Sequence, residues 1–483
     1  MAEKNSLTPM MEQYFRLKKK HQDAFLFFRL GDFYEMFYED ARTAAPLLEI
    51  ALTSRQKVPM CGVPYHAVNS YLAKLLKHGY KVAICEQVED ARQGRGVVKR
   101  EVVKVLTPGT AIEIELDQAK ENTYIASLYL KELGWGLAVV NLSSGSMLTF
   151  QNESHDKRFL ADELFKISPK EIVFPEGEEE RVNQLIDQSQ VTSPSLSPLE
   201  GWAFELAQAK NLLLSHFKVK SLAGFDLADK NLAVAAAGAL LYYLNKVRKN
   251  SLSLIQSLSY HHAHDYLVLD ATTIRNLELV RNLRDGRVKD SLLDIIDFTI
   301  TSMGGRLLKS WLLQPLLDRA RIEERLEAVA ELVTRTIERH DLRERLKEIY
   351  DLERLTAKIS VQAAHAKDLL SLKKSLEPLP QIQSLLTVFS AARLKKIHKE
   401  WDNGQDIAEL IEKAIKEDPA FLLTEGGLIK DGYHQELDEL RQISRSGKTY
   451  IASLEKKEKE RTGISSLKIG YNKVFGYYIE VTN

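Results

Sequence analysis

The sequence predicts a multidomain protein, α/β over its first half and all-α over most of its second. Three observations predict this. Strand-like and helix-like patterns alternate as far as Pro175, and apolar residues recur every three or four positions from about Asn211 onward. The 483 residues also exceed what one ordinary core organises. A composition of 44% hydrophobic and 28% charged residues is that of a soluble globular chain.

The first unit opens with AFLFFRL, Ala24–Leu30, a run of β-formers ending at Gly31-Asp32. On that strand Phe25 and Phe27 share one face and Phe28 takes the other. MFYEDARTAAPLLEIAL then has helical spacing, with Phe37 expected beneath the helix. VPMCGVPYHAVNS, punctuated by Pro59, Gly62 and Pro64, reads as a loop. A helix near Ser70–His78, the strand KVAICEQV, the basic VVKREVVKVL and TPGT complete the unit. After the linker AIEIELDQAKENT, a second unit offers the strands YIASLYL, GLAVVNL, SMLTF and EIVFP. The polar EGEEERVNQLIDQSQVTSPSLSP reads as an exposed connection.

The third unit is helical. In ARIEERLEAVAELVTRTIERHDLRERLKEIYDLERL, apolar residues from Ile322 to Leu352 keep one rhythm, as expected of a long lever helix. At the end, SSLKIGYN and VFGYYIEVTN alternate like two strands joined by a short turn. The chain stops at Asn483 within the second, so it is expected to be a piece of something larger.

Composition excludes several classes. Only Cys61 and Cys85 are present, which rules out a disulfide scaffold and a cysteine-based zinc site and fits a reducing cytoplasm. The start has no signal-peptide core, and the longest apolar run, Leu232–Leu244, is too short for a bilayer, so no membrane role is expected. Net charge is zero but unevenly spread. Residues 1–104 hold 17 Lys/Arg against 12 Asp/Glu, and residues 441–473 hold 9 against 3, two basic regions bracketing an acidic middle. Solvated helix faces would account for the same runs.

The enzyme signals fail one by one. Gly447-Lys448-Thr449 ends like a phosphate loop, but position 442 is Gln where the loop needs glycine, and the flanks are helical. His261, His262 and His264 lack a carboxylate pair at ligand spacing, so no metal is expected. A two-metal nuclease needs converging acids, whereas GLAVVNLSSG offers Asn141 and its sister strands are read as carrying none.

One stretch stands apart. FLFFRLGDFYEMFYED places seven aromatic rings within Phe25–Tyr38 in a chain that is 8% aromatic. Core packing accounts for most of them. Phe33 and Tyr34, just past the Gly31-Asp32 turn, can instead project from the element's end, with Glu35 beside them. An aromatic wedge beside a carboxylate suits a disturbed base stack: the ring enters between bases, and the carboxylate accepts from a base edge while repelling phosphate.

GDFYEMFYEDA, VPMCGVPYHAVNSYLAKLLKHGYKVAICEQVED and VVKREVVKVLTPGT resemble the N-terminal domain of the bacterial MutS family, which recognises DNA mismatches. The resemblance continues through LDATTIRNLEL, GGRLLKSWLLQPL, DLERLTAKIS and SLKIGYNKVFGYYIEVTN. It implies a mixed-sheet mismatch-binding domain at 1–110, a ribonuclease-H-like connector at 121–250, a long-helix lever core at 258–435 and the start of a β clamp at 436–483. The family's Phe-x-Glu pattern falls on Phe33 and Glu35, which would stack on and hydrogen-bond the mispaired base at a kink. Lys468 and Lys473 would grip the DNA backbone.

The resemblance also implies partners: double-stranded DNA with mismatches or small loops, a homodimer in the full-length family, and the downstream repair factor MutL. A bacterial, nucleoid-associated location goes with them. ATP and Mg belong to a C-terminal ATPase domain beyond this chain, which itself holds no cofactor; the returning lever helices would be absent too, leaving the helical core under-packed. The alternative reading is a relative that binds DNA junctions without reading mismatches, for which Phe33 and Glu35 are not needed.

Overall fold

The computed structural model describes residues 8–481 except 56, 89–97, 111–119, 155, 190, 192–193, 248–250, 263–264, 421–425 and 473–475. Lys473 and His264 therefore lie outside the described residues. The chain forms two compact units, one of residues 1–364 and 374–403, the other of residues 365–373 and 404–483.

The larger unit begins with helix α1 (Pro9–Lys18), strands β1 (Ala24–Leu30) and β2 (Phe33–Phe37), helix α2 (Tyr38–Leu48), strands β3 (Thr53–Arg55) and β4 (Val58–Pro64), helix α3 (Val68–Lys77), and strands β5 (Lys81–Gln87) and β6 (Arg100–Leu106). The strands build one sheet in the order β3-β4-β2-β1-β5-β6. Only the β1–β5 pair is parallel. Period-two alternation sorts the rings. Phe25, Phe27, Tyr34 and Met36 pack with α2 and α3 on one face, while Leu26, Phe28 and Phe37 meet Met11, Tyr14 and Leu17 of α1 on the other. Asp40 binds these layers, accepting from the Leu26 amide at 3.0 Å and pairing with Lys18 at 2.9 Å.

Three expectations are corrected here. Met36 and Phe37, expected in the helix, belong instead to the strand Phe33–Phe37, which follows a two-residue hairpin turn at Gly31-Asp32 with Gly31 at φ +59°. Phe37 consequently packs on Tyr14 of α1, ring centroids 5.1 Å apart, and not under α2. VPMCGVP is a strand despite its prolines, which stand near its two ends.

The second sheet contains β7 (Tyr124–Leu130), β8 (Trp135–Asn141) and β9 (Ser146–Asn152), then α4 (Arg158–Ile167), β10 (Glu171–Pro175), α5 (Glu179–Ser189), β11 (Ser195–Leu199), α6 (Leu206–Phe217), α7 (Asn231–Val247) and β12 (Ser257–Tyr260). Its order is β11-β10-β7-β8-β9-β12. α6 and α7 cover one face and α4 and α5 the other. The polar stretch after Pro175 is thus not a plain connection: Val182 and Leu185 bury one face of α5, and SLSPL adds the edge strand β11. Nor is the sheet free of acids. Glu171 opens β10 fully buried, accepting from Thr107 Oγ1 at 2.5 Å, Ser197 Oγ at 2.6 Å and the Tyr243 hydroxyl. Three hydroxyl donors satisfy it, so it ties TPGT to the second sheet instead of joining an acid cluster.

Helices follow: α8 (Ala271–Asn276), α9 (Leu292–Ile296), α10 (Ser302–Leu313), α11 (Arg319–Thr334), α12 (Thr336–Leu346), α13 (Leu352–Ser360), α14 (Ala366–Leu376), α15 (Leu379–Leu386), α16 (Ala392–Lys399), α17 (Gln405–Ala414) and α18 (Gln435–Thr462). The rhythm read from Ile322 to Leu352 runs over three helices and is not one uninterrupted run. It breaks at Arg335, and Arg339 Nη1 donates to the carbonyls of Leu332 and Val333, at 2.9 and 3.1 Å, that the helix end leaves open. The longest helix is α18, 28 residues. Leu326, Val329 and Val333 of α11 and Ile337 of α12 are exposed. The smaller unit closes with the antiparallel hairpin β13 (Lys468–Asn472) and β14 (Gly476–Glu480), as the alternation predicts.

Candidate nucleic-acid interface

The first sheet positions the candidate pair. Hairpin register sets Phe33 opposite Leu30 on β1 and Pro64 on β4, at the very end of the strand. The turn is held from below, where the Tyr65 amide donates to the Asp32 carbonyl at 2.8 Å. Phe33 is 46% exposed, whereas Tyr34 beside it is 3% exposed. The two residues past the turn therefore part company, and only Phe33 projects.

Tyr34 turns to the opposite face, where its hydroxyl bonds the Glu86 carboxylate; burial and Glu86 hold its pKa well above the usual tyrosine value. There the Arg29 guanidinium lies 3.7 Å over the Tyr65 ring and 5.3 Å over Tyr34. This layer backs the hairpin tip.

Glu35 shares Phe33's face two residues on, flanked by Phe28 on β1 and Gly62 on β4. A Cβ on Gly62 would lie 3.5 Å from Glu35 Cγ and 3.8 Å from Phe33 Cδ1, so the glycine forms the floor on which both side chains rest. The Glu35 Oε2 atom is enclosed and has no hydrogen-bond partner among the described residues. Arg55 Nη1 approaches it to 3.6 Å, an ion pair beyond hydrogen-bonding distance. Burial raises the Glu35 pKa and Arg55 works against that rise. The arrangement offers a ring that can enter a gap and an acceptor awaiting a donor.

Sequence reasoning singled out Phe33 and Glu35 but not Arg55 and Gly62, which the structure sets beside them. Their signal was the alternation through LTSRQKVPMCG, obscured by Pro59 and Pro64. The basic region 441–473 is more divided than its count suggests. Arg441 is tied to Asp431 and Asp438, Lys459 to Glu455 and Arg461 to Glu458. Lys456, Lys457 and Lys468 are exposed, with Lys468 opposite Glu480 across the hairpin.

The remaining motifs have structural explanations. Gly447-Lys448-Thr449 lies within α18. The His261 ring stacks between Phe150 and Tyr266, at 4.7 and 5.3 Å, and burial lowers its pKa to about 4; His262 pairs with Asp226. Among the described residues no three His, Cys, Asp or Glu side chains converge, and no helix is long and apolar enough to cross a membrane.

Fold and site together define a modular α/β-plus-helical protein with an exposed ring and a half-buried carboxylate at the end of one hairpin. Three family models match the chain in order: MutS domain I over residues 8–115, MutS domain II over 123–256 and MutS domain III over 272–464. Three relatives are each called DNA mismatch repair protein MutS. Those of Symbiobacterium thermophilum, Halothermothrix orenii and Caldanaerobacter subterraneus are each 47% identical over 98%, 99% and 99% of this chain. The chain belongs to the MutS family. It spans about half the length of those relatives, 55%, 54% and 55%.

Proposed function

We propose that this chain recognises mispaired and unpaired bases in duplex DNA as the first step of mismatch repair. The observation that carries the reading is the pairing of exposed Phe33 with Glu35, whose enclosed Oε2 has no hydrogen-bond partner among the described residues. The ring enters the base stack from the minor groove, Glu35 accepts from the base it displaces, and the duplex kinks there. Unstacking costs a few kcal/mol in an intact duplex and less at a mismatch, so the wedge converts local weakness of the helix into affinity. A carboxylate near phosphate adds a penalty for duplex that stays closed. Deformability, more than base identity, then decides what is bound.

The finer organisation belongs to the same proposal: mismatch-binding domain at 1–110, ribonuclease-H-like connector at 121–250, lever core at 258–435 and start of a clamp at 436–483. Exposed Lys468 supplies backbone grip, and Lys473 is assigned the same part. Homodimerisation, docking of MutL and use of ATP with Mg²⁺ are proposed for the complete protein, on the strength of the relatives' name and greater length. The one nucleotide-like string here does not fit that group, because the amides of Gly447-Lys448-Thr449 sit in mid-helix and are committed to it.

A fluorescent adenine analogue placed beside a mismatch tests the wedge. Binding should brighten it as the base unstacks, and Phe33→Ala should abolish the brightening while binding persists. Equal brightening with and without the ring would refute the reading.

A further inference from the structure

Glu35 is an awkward carboxylate for this role, and the reason lies in its setting. It is half-buried, so its charged form is already penalised, and DNA brought against it adds phosphate charge of the same sign. Both effects favour proton uptake. A protonated Glu35 would no longer repel closed duplex, and the site would lose that part of its discrimination.

The sheet supplies one counterweight. β3 pairs with β4 so that Arg55 faces Val58, and β4 pairs with β2 so that Gly62 faces Glu35. Paired residues share a face, which puts Arg55, Glu35 and Phe33 on the same side of the sheet. Gly62 has no side chain in the way, and the Arg55 guanidinium reaches across to within 3.6 Å of Glu35 Oε2. Arg100 of β6 lies over the Phe28 ring at 5.1 Å and donates to the Arg29 carbonyl at 2.7 Å. β1 presents Phe28 and β4 presents Met60 and Gly62, none of them titratable. α1, further along this face, carries Glu12, Arg16 and Lys18, and Lys18 is engaged by Asp40. Lys57 sits in the turn between β3 and β4 at φ +68°. Among the described charged groups, Arg55 is the one whose charge acts on the Glu35 carboxyl.

The distance matters as much as the sign. At 3.6 Å the pair is coulombic without a hydrogen bond, so Arg55 favours the charged form while leaving Oε2 unbonded. A tighter, bidentate pair would occupy the acceptor that recognition needs.

We propose that Arg55 sets specificity at this site by holding Glu35 as a charged carboxylate that Arg55 does not hydrogen-bond, the charge that penalises closed duplex. This rests on the mismatch-reading function proposed above. Arg55 acts through Glu35 and is a positioning residue.

The test reads Glu35 twice. Without DNA, the carboxyl-carbon signal of Glu35 is titrated by NMR in the unmutated chain, Arg55→Gln and Arg55→Lys. With DNA, the ratio of mismatched to matched duplex affinity is measured across the same pH range. Because burial holds the Glu35 pKa above its ordinary value and Arg55 restrains the rise, removing Arg55 moves the midpoint to higher pH. The acid-side loss of mismatch preference should move up with it, Arg55→Lys should stay near the unmutated chain, and Arg55→Gln should change nothing in a Glu35→Gln background. An unmoved Glu35 midpoint overturns the proposal, as does a moved midpoint with an unmoved preference profile. Absence of any preference in the unmutated chain overturns the underlying mismatch reading instead. The DNA-free titration tells that failure apart from failure of the Arg55–Glu35 coupling.

Discussion

Phe33 differs from its neighbours in what it touches, and that difference is measurable as stability. Phe25, Phe27, Phe28, Tyr34 and Phe37 are buried, and Phe33 is not. Phe27→Ala should therefore cost about 3–5 kcal/mol of unfolding free energy, the range for removing a buried ring. Phe33→Ala should stay within about 0.5 kcal/mol, as surface substitutions do. Urea unfolding of the two variants checks this, and a large loss at Phe33 would return it to the core. The string Phe33-x-Glu35 is local and was legible as such, whereas the strand that puts both residues on one face was not. Arg55 was not legible, since its approach to Glu35 depends on two strand pairings and a missing side chain at Gly62.

Elements were legible where one pattern dominated. YIASLYL, GLAVVNL, SMLTF and EIVFP are all strands, because buried or alternating runs bounded by turn residues leave little choice. They were illegible where two patterns overlapped. The five residues of β2 lead into α2 without a loop, so helical spacing after Tyr38 masked the strand before it. The break at Arg335 has no glycine or proline to announce it and is held by Arg339, a contact that sequence spacing does not reveal. Glycine packing between helices has a sharper consequence. A Cβ on Gly238 in α7 would fall 2.3 Å from Ala209 Cα in α6, a backbone contact that cannot yield without moving a helix. Gly238→Val should then destabilise the larger unit by about 1–3 kcal/mol or more through overpacking, read as a lower urea midpoint. An unchanged midpoint would mean that α6 and α7 do not pack this closely in solution.

Across the whole molecule, the proposed function assigns recognition and grip to separate residues. In the proposed reading the Phe33–Glu35 tip supplies selectivity, and lysines that the fold leaves exposed, Lys456, Lys457 and Lys468, supply charge without sequence preference. Lysine contacts release counterions and weaken with salt, whereas a wedge that exploits weak stacking keeps its preference as salt rises. The passage from α/β to helical structure was readable from the change of periodicity along the chain, but which basic residues stay exposed was not. Count alone credits the whole 441–473 stretch with grip, although Arg441, Lys459 and Arg461 are spent on local ion pairs. The decisive measurement is the affinity of this chain for matched and single-mismatch duplexes at two salt concentrations, with Phe33→Ala alongside. The account predicts a mismatch preference that survives added salt, and that Phe33→Ala erases while leaving weak, salt-sensitive binding. Equal affinity of the unmutated chain for both duplexes, or a preference that Phe33→Ala leaves intact, would contradict it.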